Sequence, residues 1–142
     1  MNPAQVLFGR PVSRIHCIGV GGMGLAPLAI FLADSGWTVT GEDDAPTAEV
    51  VAYLTAAGIG LAPLPAACDL VVISSAIAPG HASLQAAHAR HLPVVRRGEL
   101  LAEVVKGRKL AAVCGSHGKT TTTTMLAAAL RRAGFGAGYV LG

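Results

Sequence analysis

Short apolar runs alternate along this chain with longer segments whose apolar residues recur at helical spacing. Short runs bounded by polar residues or glycines are typical of buried strands, and the longer periodic segments are typical of helices with one buried face. The predicted strands cover residues 15–18, 37–40, 59–61, 70–73, 94–95, 110–113 and 139–141. The predicted helices cover residues 23–35, 47–57, 82–90, 99–105 and 119–133.

This alternation predicts the α/β class, with a Rossmann-like open parallel sheet that carries helices on both faces. A glycine followed by two basic residues at 107–109 is typical of a linker. We therefore expect residues 1–107 to form one domain. Residues 108–142 would be the start of a second α/β domain, with its first strand, a phosphate loop and a helix, present here only in part.

Composition narrows the class of protein without identifying it. Of the 142 residues, 52% are hydrophobic and 13% are charged, which is not the profile of a disordered chain. The net charge of +3 comes from dispersed basic residues, so no nucleic-acid partner is expected. No apolar run approaches the roughly 18 residues of a membrane span. Three widely spaced cysteines without a CxxC pair predict free thiols and a cytoplasmic location.

The first glycine-rich loop follows the strand predicted at 15–18 and precedes a predicted helix. Gly19, Gly21 and Gly24 fit the GxGxxG pattern, in which glycines let a phosphate approach the N–H groups at a helix N-terminus. Asp43 lies about 20 residues further on, at the end of the second strand, where an acid can meet a ribose hydroxyl. The pattern leaves NAD, FAD and a UDP-sugar open as ligands, because all three present a diphosphate.

A serine pair follows the strand predicted at 70–73, at the edge of the sheet where ligands of open α/β folds bind. Of the two arginines at 96 and 97, one is a candidate to face a substrate anion. The candidate residues of this first site are Gly19, Gly21, Gly22, Met23, Gly24, Asp43, Ser74 and Ser75.

The second glycine-rich loop has the pattern GxxGKT. A full Walker A motif would need a glycine at the position of Val113, so this loop is a shortened form. Its backbone N–H groups can still surround phosphates, Lys119 can reach the β- and γ-phosphates of ATP, and Thr120 can bind Mg²⁺. Lys119 and Thr120 are therefore the candidate catalytic residues, and Thr120 is the candidate metal ligand. The predicted ATP-binding residues are Gly115, Ser116, His117, Gly118, Lys119, Thr120 and Thr121.

With both loops, the chain resembles the Mur ligases of bacterial peptidoglycan synthesis. The matching blocks are IHCIGVGGMG at 15–24, TGED at 40–43, VVISSAI at 71–77, PVVRRGELLAE at 93–103 and VCGSHGKTTTTT at 113–124. The resemblance implies a three-domain enzyme that forms an amide at the expense of ATP. It further implies that the first loop holds the diphosphate of a UDP-sugar and the second holds ATP.

Within the family, the blocks best fit a member that joins L-alanine to UDP-N-acetylmuramate. A ligase that recycles murein tripeptide is the alternative within the family, and a nicotinamide-dependent oxidoreductase is the alternative outside it. The chain departs from the family pattern between Gly58 and Asp69 and at Gly80-His81, near the expected nucleotide pocket. By itself the chain is expected to bind the UDP-sugar without catalysing ligation.

Overall fold

The structure is a computed structural model that describes residues 5–140. Its strands are β1 (Gln5–Leu7), β2 (Arg10–Val12), β3 (Arg14–Ile18), β4 (Thr38–Glu42), β5 (Gly60–Leu61), β6 (Leu70–Ile73) and β7 (Val94–Arg96). Its helices are α1 (Leu25–Asp34), α2 (Ala48–Ala56), α3 (Ala82–Ala89), α4 (Arg97–Val104) and α5 (Lys119–Arg132).

Five parallel strands form the central sheet in the order β5-β4-β3-β6-β7. β3 lies in the middle, and the chain builds outward from it in one direction through β4 and in the other through β6. Ligands of open α/β sheets bind at the carboxyl ends of the strands where the order reverses. In this sheet that point is the end of β3, where the first glycine loop begins.

The larger hydrophobic core lies between the sheet and helices α1, α2 and α4. Ile15 and Cys17 point into it from β3, and Leu28 and Leu32 meet them from α1, all with almost no exposed surface. Leu100 joins from α4. Burial raises the pKa of Cys17 to about 12, so this cysteine is a neutral core thiol.

A smaller core covers the opposite face of the sheet. Ile18 and Val71 pack there against Leu84 and Ala87 of α3. The prediction of a Rossmann-like open parallel sheet with helices on both faces is therefore confirmed. Among the described helices, none is long and apolar enough to cross a membrane.

His16 is fully buried on β3, between residues that face the larger core, so strand alternation directs it to the opposite face. Its Nδ1 lies 2.9 Å from Thr40 Oγ1, and its Nε2 lies 3.6 Å from Glu42 Oε1. Burial lowers the pKa of His16 and outweighs the opposing effect of Glu42. The histidine is thus neutral, and neither its Nε2 nor Glu42 Oε1 has a hydrogen-bond partner among the described residues.

Most predicted elements are present, with ends that differ by at most two residues. The strand at Leu70–Ile73 has the predicted bounds. The first helix begins at Leu25 instead of residue 23, because Gly22, Met23 and Gly24 form the turn that leads into it. The hairpin β1–β2 was not predicted from the sequence. Its turn places Phe8 and Gly9 at positive φ, and Phe8 is not a residue that signals such a turn.

Two predicted strands in the last third of the chain are wrong. Residues 110–113 are irregular, and so are residues 139 and 140 of the predicted strand 139–141, whose last residue lies outside the described part. A strand needs a neighbour to accept its hydrogen bonds, and none of the described strands pairs with residues 110–113. Leu110 accordingly remains 65% exposed, although its sequence context resembles that of a buried strand.

One ion pair ties the amino ends of β3 and β6 together. Asp69 Oδ1 lies 2.8 Å from Arg14 Nη2, and Asp69 Oδ2 accepts the backbone N–H groups of Ser13 and Arg14. The side chain of Arg14, together with these N–H groups, lowers the pKa of Asp69 from 3.8 to about 2. Folding therefore favours the ionised form of Asp69, and this form contributes to the stability of the folded chain.

We expect the stabilisation from Asp69 to be complete above about pH 4 and to disappear as the pH falls towards 2, because the pKa is lowered on folding. Urea unfolding between pH 5 and pH 2 measures this effect. Asp69→Asn should be less stable at pH 5 and lose less stability over that range. Asp44→Asn, which changes a side chain that is 91% exposed, is the matched control and should behave as the wild type. Equal acid sensitivity in the wild type and Asp69→Asn would contradict the assignment.

Candidate nucleotide sites

The first glycine loop lies at the carboxyl end of β3, and most of its backbone N–H groups have partners within the protein. Gly19 and Val20 donate to the carbonyl of Glu42 at 2.9 and 3.1 Å, and Gly22 donates to the carbonyl of Gly19. Within the described part of the chain, the N–H groups of Met23 and Gly24 have no acceptor. These two donors, at the N-terminus of α1, are the groups of the loop that could bind an anion.

Asp43 lies against this loop. Its Oδ2 accepts the N–H of Gly21 at 2.8 Å, and its Oδ1 accepts the N–H of Ala45 at 3.1 Å. A Cβ atom added at Gly21 would lie 2.8 Å from Asp43 Cγ, which is closer than non-bonded carbon atoms approach one another. A side chain at position 21 would therefore displace the Asp43 carboxylate, which accepts two backbone N–H groups.

The two serines after β6 differ in their position relative to the loop. Ser74 packs against it: a Cβ atom added at Gly19 would lie 3.0 Å from Ser74 Cβ. Gly19 also has φ +78°, which favours glycine. Ser75 is exposed, and among the described contacts it has none with the loop. The fold thus brings Ser74 into the first site and leaves Ser75 at its edge.

Arg97, rather than Arg96, reaches the first glycine loop. Its Nε donates to the carbonyl of Gly24 at 2.7 Å, although the two residues lie 73 positions apart in the chain. The guanidinium group therefore lies beside Gly24, where it adds a positive charge at the N-terminus of α1. The arginine pair in the sequence indicates a candidate cation here, and only the fold distinguishes the two.

The second glycine loop precedes α5. Gly115 and Gly118 have φ values of 153° and 75°, in the region that side-chain-bearing residues rarely adopt. Lys119 Nζ donates to the carbonyl of Gly115 at 2.7 Å and to that of Ser116 at 3.4 Å. The ammonium group of Lys119 therefore lies against the backbone of the predicted phosphate loop. His117 Nδ1 lies 3.2 Å from Ser116 Oγ, which is a contact within the loop itself.

The threonine run after the loop divides into two groups. Thr123 and Thr124 each donate their hydroxyl to the backbone carbonyl four residues earlier, at 2.8 and 2.9 Å. This local bonding compensates partly for the low helix propensity of threonine. Among the described contacts, the hydroxyls of Thr120 and Thr121 make no such bond, so they remain available for a ligand.

The two loops open onto one groove. Met23 from the first loop and Thr120 from the second both line a cavity of about 300 Å³. Its remaining walls come from α1 and α2, and these residues are Ala26, Pro27, Ile30, Val50 and Tyr53. A ligand on either loop would therefore lie beside the same apolar cleft.

A magnesium site made only of protein groups is not built into this region. Among residues 5–140, no group of three or more His, Cys, Asp and Glu side chains could hold a metal ion. Thr120 offers a single hydroxyl at the start of α5. Mg²⁺ is commonly held by one or two protein groups together with phosphate oxygens and water, so the single hydroxyl fits a magnesium ion that arrives with a nucleotide.

Comparison with known proteins decides the family. The model of the Mur ligase family, catalytic domain, matches residues 14–109, which contain the whole parallel sheet and the first glycine loop. The chain belongs to the Mur ligase family. The resemblance carried by the five sequence blocks is thereby confirmed.

Curated relatives of this Mur ligase chain include UDP-N-acetylmuramate–L-alanine ligases. The protein of Roseobacter denitrificans is 44% identical over 135 residues, which cover 92% of this chain and 28% of the relative. That of Frankia casuarinae is 44% identical over 149 residues, which cover 96% of this chain and 29% of the relative. The chain thus spans less than a third of the length of these relatives.

Solved structures of two related ligases have the same fold. The UDP-N-acetylmuramate–alanine ligase of Thermotoga maritima superposes with a TM-score of 0.78 at 31% identity, over 84% of this chain and 29% of that one. A murein peptide ligase from Psychrobacter arcticus gives a TM-score of 0.78 at 34% identity, over 86% and 27%. The backbone alone therefore does not separate these two kinds of ligase.

Proposed function

We propose that this chain provides the UDP-sugar site and the ATP phosphate loop of a ligase that joins L-alanine to UDP-N-acetylmuramate in peptidoglycan synthesis. In this proposal residues 1–107 form the UDP-sugar domain, and residues 108–142 begin the ATP-binding domain. The location is the cytoplasm, in keeping with three free cysteines, and neither a nucleic acid nor a membrane is a partner.

The observation that carries the proposal is the shared groove between two phosphate loops of different type. Met23 and Thr120 line the same cavity, so a sugar nucleotide on the first loop and ATP on the second would lie side by side. A ligase that activates a carboxylate with ATP needs this arrangement, because the γ-phosphate must reach the carboxylate. A nicotinamide oxidoreductase has no use for the second loop.

On the sugar side, each residue has a defined part. The N–H groups of Met23 and Gly24 bind phosphate oxygens of UDP, and the guanidinium of Arg97 balances their charge. Ser74 borders the ligand at the end of β6. Together these groups orient UDP-N-acetylmuramate so that its carboxylate points towards the second loop.

On the ATP side, the open N–H groups of residues 115–121 surround the phosphates, and Lys119 moves from the loop carbonyls to the β- and γ-phosphates. Thr120 would hold Mg²⁺, which neutralises charge on the phosphates. A carboxylate oxygen of the sugar attacks the γ-phosphorus, and ADP leaves. The amine of L-alanine then attacks the acyl phosphate, loses a proton and releases inorganic phosphate.

Two other functions are less well supported. A ligase that recycles murein peptides has the same fold, but the curated relatives at 44% identity are L-alanine ligases. A nicotinamide-dependent oxidoreductase is less well supported because the matching family model and the curated relatives are those of ligases.

Calorimetry on the 142-residue chain tests the proposal. We expect UDP-N-acetylmuramate to bind and NADH not to bind. Lys119→Ala should lower the affinity for Mg²⁺·ATP about tenfold or more, since it removes a charge-assisted contact to phosphate. It should leave the affinity for the UDP-sugar unchanged. Lys109→Ala, which removes an exposed lysine ahead of the loop, is the matched control. Tight NADH binding without UDP-sugar binding would favour the oxidoreductase.

A further inference from the structure

The carboxylate of Asp43 occupies a donor that a phosphate-binding loop normally offers to its ligand. Asp43 Oδ2 lies 2.8 Å from the N–H nitrogen of Gly21, in the middle of the GxGxxG turn. The second oxygen of the same carboxylate accepts from Ala45 at 3.1 Å. Asp43 therefore bridges the loop after β3 and the segment after β4.

Three other N–H groups of the loop also have acceptors within the protein. Gly19 and Val20 bond to the carbonyl of Glu42, and Gly22 bonds to that of Gly19. Three successive N–H groups of the turn, at 19, 20 and 21, are thus bound to the end of β4 or to Asp43. In this loop, only the N–H groups of Met23 and Gly24, which lead into α1, have no hydrogen-bond acceptor among the described residues.

We propose that Asp43 is a positioning residue of the UDP-sugar site, which keeps Gly21 N–H occupied and presents Met23 and Gly24 as the only loop donors to the ligand. This inference rests on the proposed function, because it takes UDP as the ligand of the first loop. Asp43 acts through the loop and does not itself touch the ligand. A negative charge at this place also disfavours a phosphate oxygen at Gly21, so the ligand is confined to the helix end.

The position of the bridge explains why an aspartate is suited to it. A carboxylate has two oxygen atoms that accept hydrogen bonds, and here each takes one backbone N–H. Asparagine has one acceptor and would present an NH₂ group to the second donor. Asp44, the next residue, has a side chain that is 91% exposed and only a 3.9 Å approach to His81. The pair therefore offers a test residue and a matched control of the same charge.

Amide NMR spectra of the 142-residue chain during titration with UDP test the proposal. In the wild type we expect the amide signals of Met23 and Gly24 to shift, and that of Gly21 to stay in place. In Asp43→Ala the Gly21 signal should begin to respond to UDP, and the affinity should fall about tenfold. Asp43→Asn should fall in between, and Asp44→Ala should match the wild type.

The outcomes separate this inference from the proposed function. If the wild type does not bind UDP, the proposed function fails. If UDP binds and the Gly21 signal of the wild type shifts as much as that of Met23, the ligand displaces the carboxylate and the positioning role is overturned. The same holds if Asp43→Ala binds UDP as tightly as the wild type. A purely structural role would lower the melting temperature without changing which amides respond. Should Asp43→Ala not fold, Asp43→Asn and the wild-type shifts decide the question.

Discussion

Gly21→Ala is expected to lower the affinity for UDP-N-acetylmuramate by about 10- to 100-fold while the chain remains folded. The added Cβ would lie 2.8 Å from both Cγ and Oδ2 of Asp43, so the carboxylate must leave its bond to the Gly21 N–H. The turn then loses the contact that fixes its shape, and the donors of Met23 and Gly24 are no longer held in place. Isothermal titration calorimetry measures the loss.

Gly22→Ala is the matched control for this experiment. A Cβ atom added there would meet its nearest neighbour, the Gly19 carbonyl oxygen, at 3.5 Å, which is ordinary van der Waals contact. Gly22 does not have a positive φ either. We expect its affinity to stay within about threefold of the wild type, since no hydrogen bond is broken. Equal losses in the two variants would show that the site responds to any change in the loop and not to the Asp43 contact.

Gly41→Ala is expected to destabilise the chain by about 1 to 3 kcal/mol, the usual range for an overpacked core. Gly41 lies in β4, and a Cβ atom there would approach Val20 Cγ1 to 2.7 Å and the Cys17 carbonyl oxygen to 3.1 Å. Val20 is fully buried at the start of the glycine loop, so it has no free space to move into. Urea unfolding should show a lower midpoint, and UDP-sugar binding should weaken as well because the loop shifts with Val20.

The neighbouring strand provides the control for Gly41. Gly60 lies in β5, and a Cβ atom added there would have no atom within 4 Å. Gly60→Ala should therefore be neutral or slightly stabilising, because alanine restricts the unfolded chain more than glycine does. An unfolding midpoint of Gly41→Ala equal to that of Gly60→Ala would contradict the close packing of β4 against the loop.

The sequence predicted the parallel sheet well because each buried strand carries its own signal. The run at Leu70–Ile73 is apolar, short and bounded by polar residues, and its bounds in the structure are the predicted ones. Residues 110–113 have a similar pattern, but no described strand lies beside them. The apolar pattern alone was therefore not enough to predict a strand there correctly. Whether an apolar run becomes a strand depends on its neighbours, which the local sequence does not contain.

The sequence alone predicted the glycine loops of the candidate site, but it did not predict which side chains contact them. The spacing of Gly19, Gly21 and Gly24 indicates a phosphate loop, because glycines at these positions permit a tight turn and let a phosphate approach the helix N-terminus. The contact between Arg97 and the carbonyl of Gly24 joins residues far apart in the chain. The bond between Asp43 and Gly21 likewise depends on how β4 lies beside β3. Such contacts follow from strand register, and residue type alone does not reveal them.

In the proposed function, the first glycine loop holds the diphosphate of a UDP-sugar next to the ATP loop. A crystal structure of the 142-residue chain with UDP-N-acetylmuramate tests it most directly. We expect phosphate oxygens about 3 Å from the nitrogen atoms of Met23 and Gly24, with Arg97 beside them and the sugar directed towards Thr120. A diphosphate bound elsewhere, or a sugar directed away from Thr120, would contradict it.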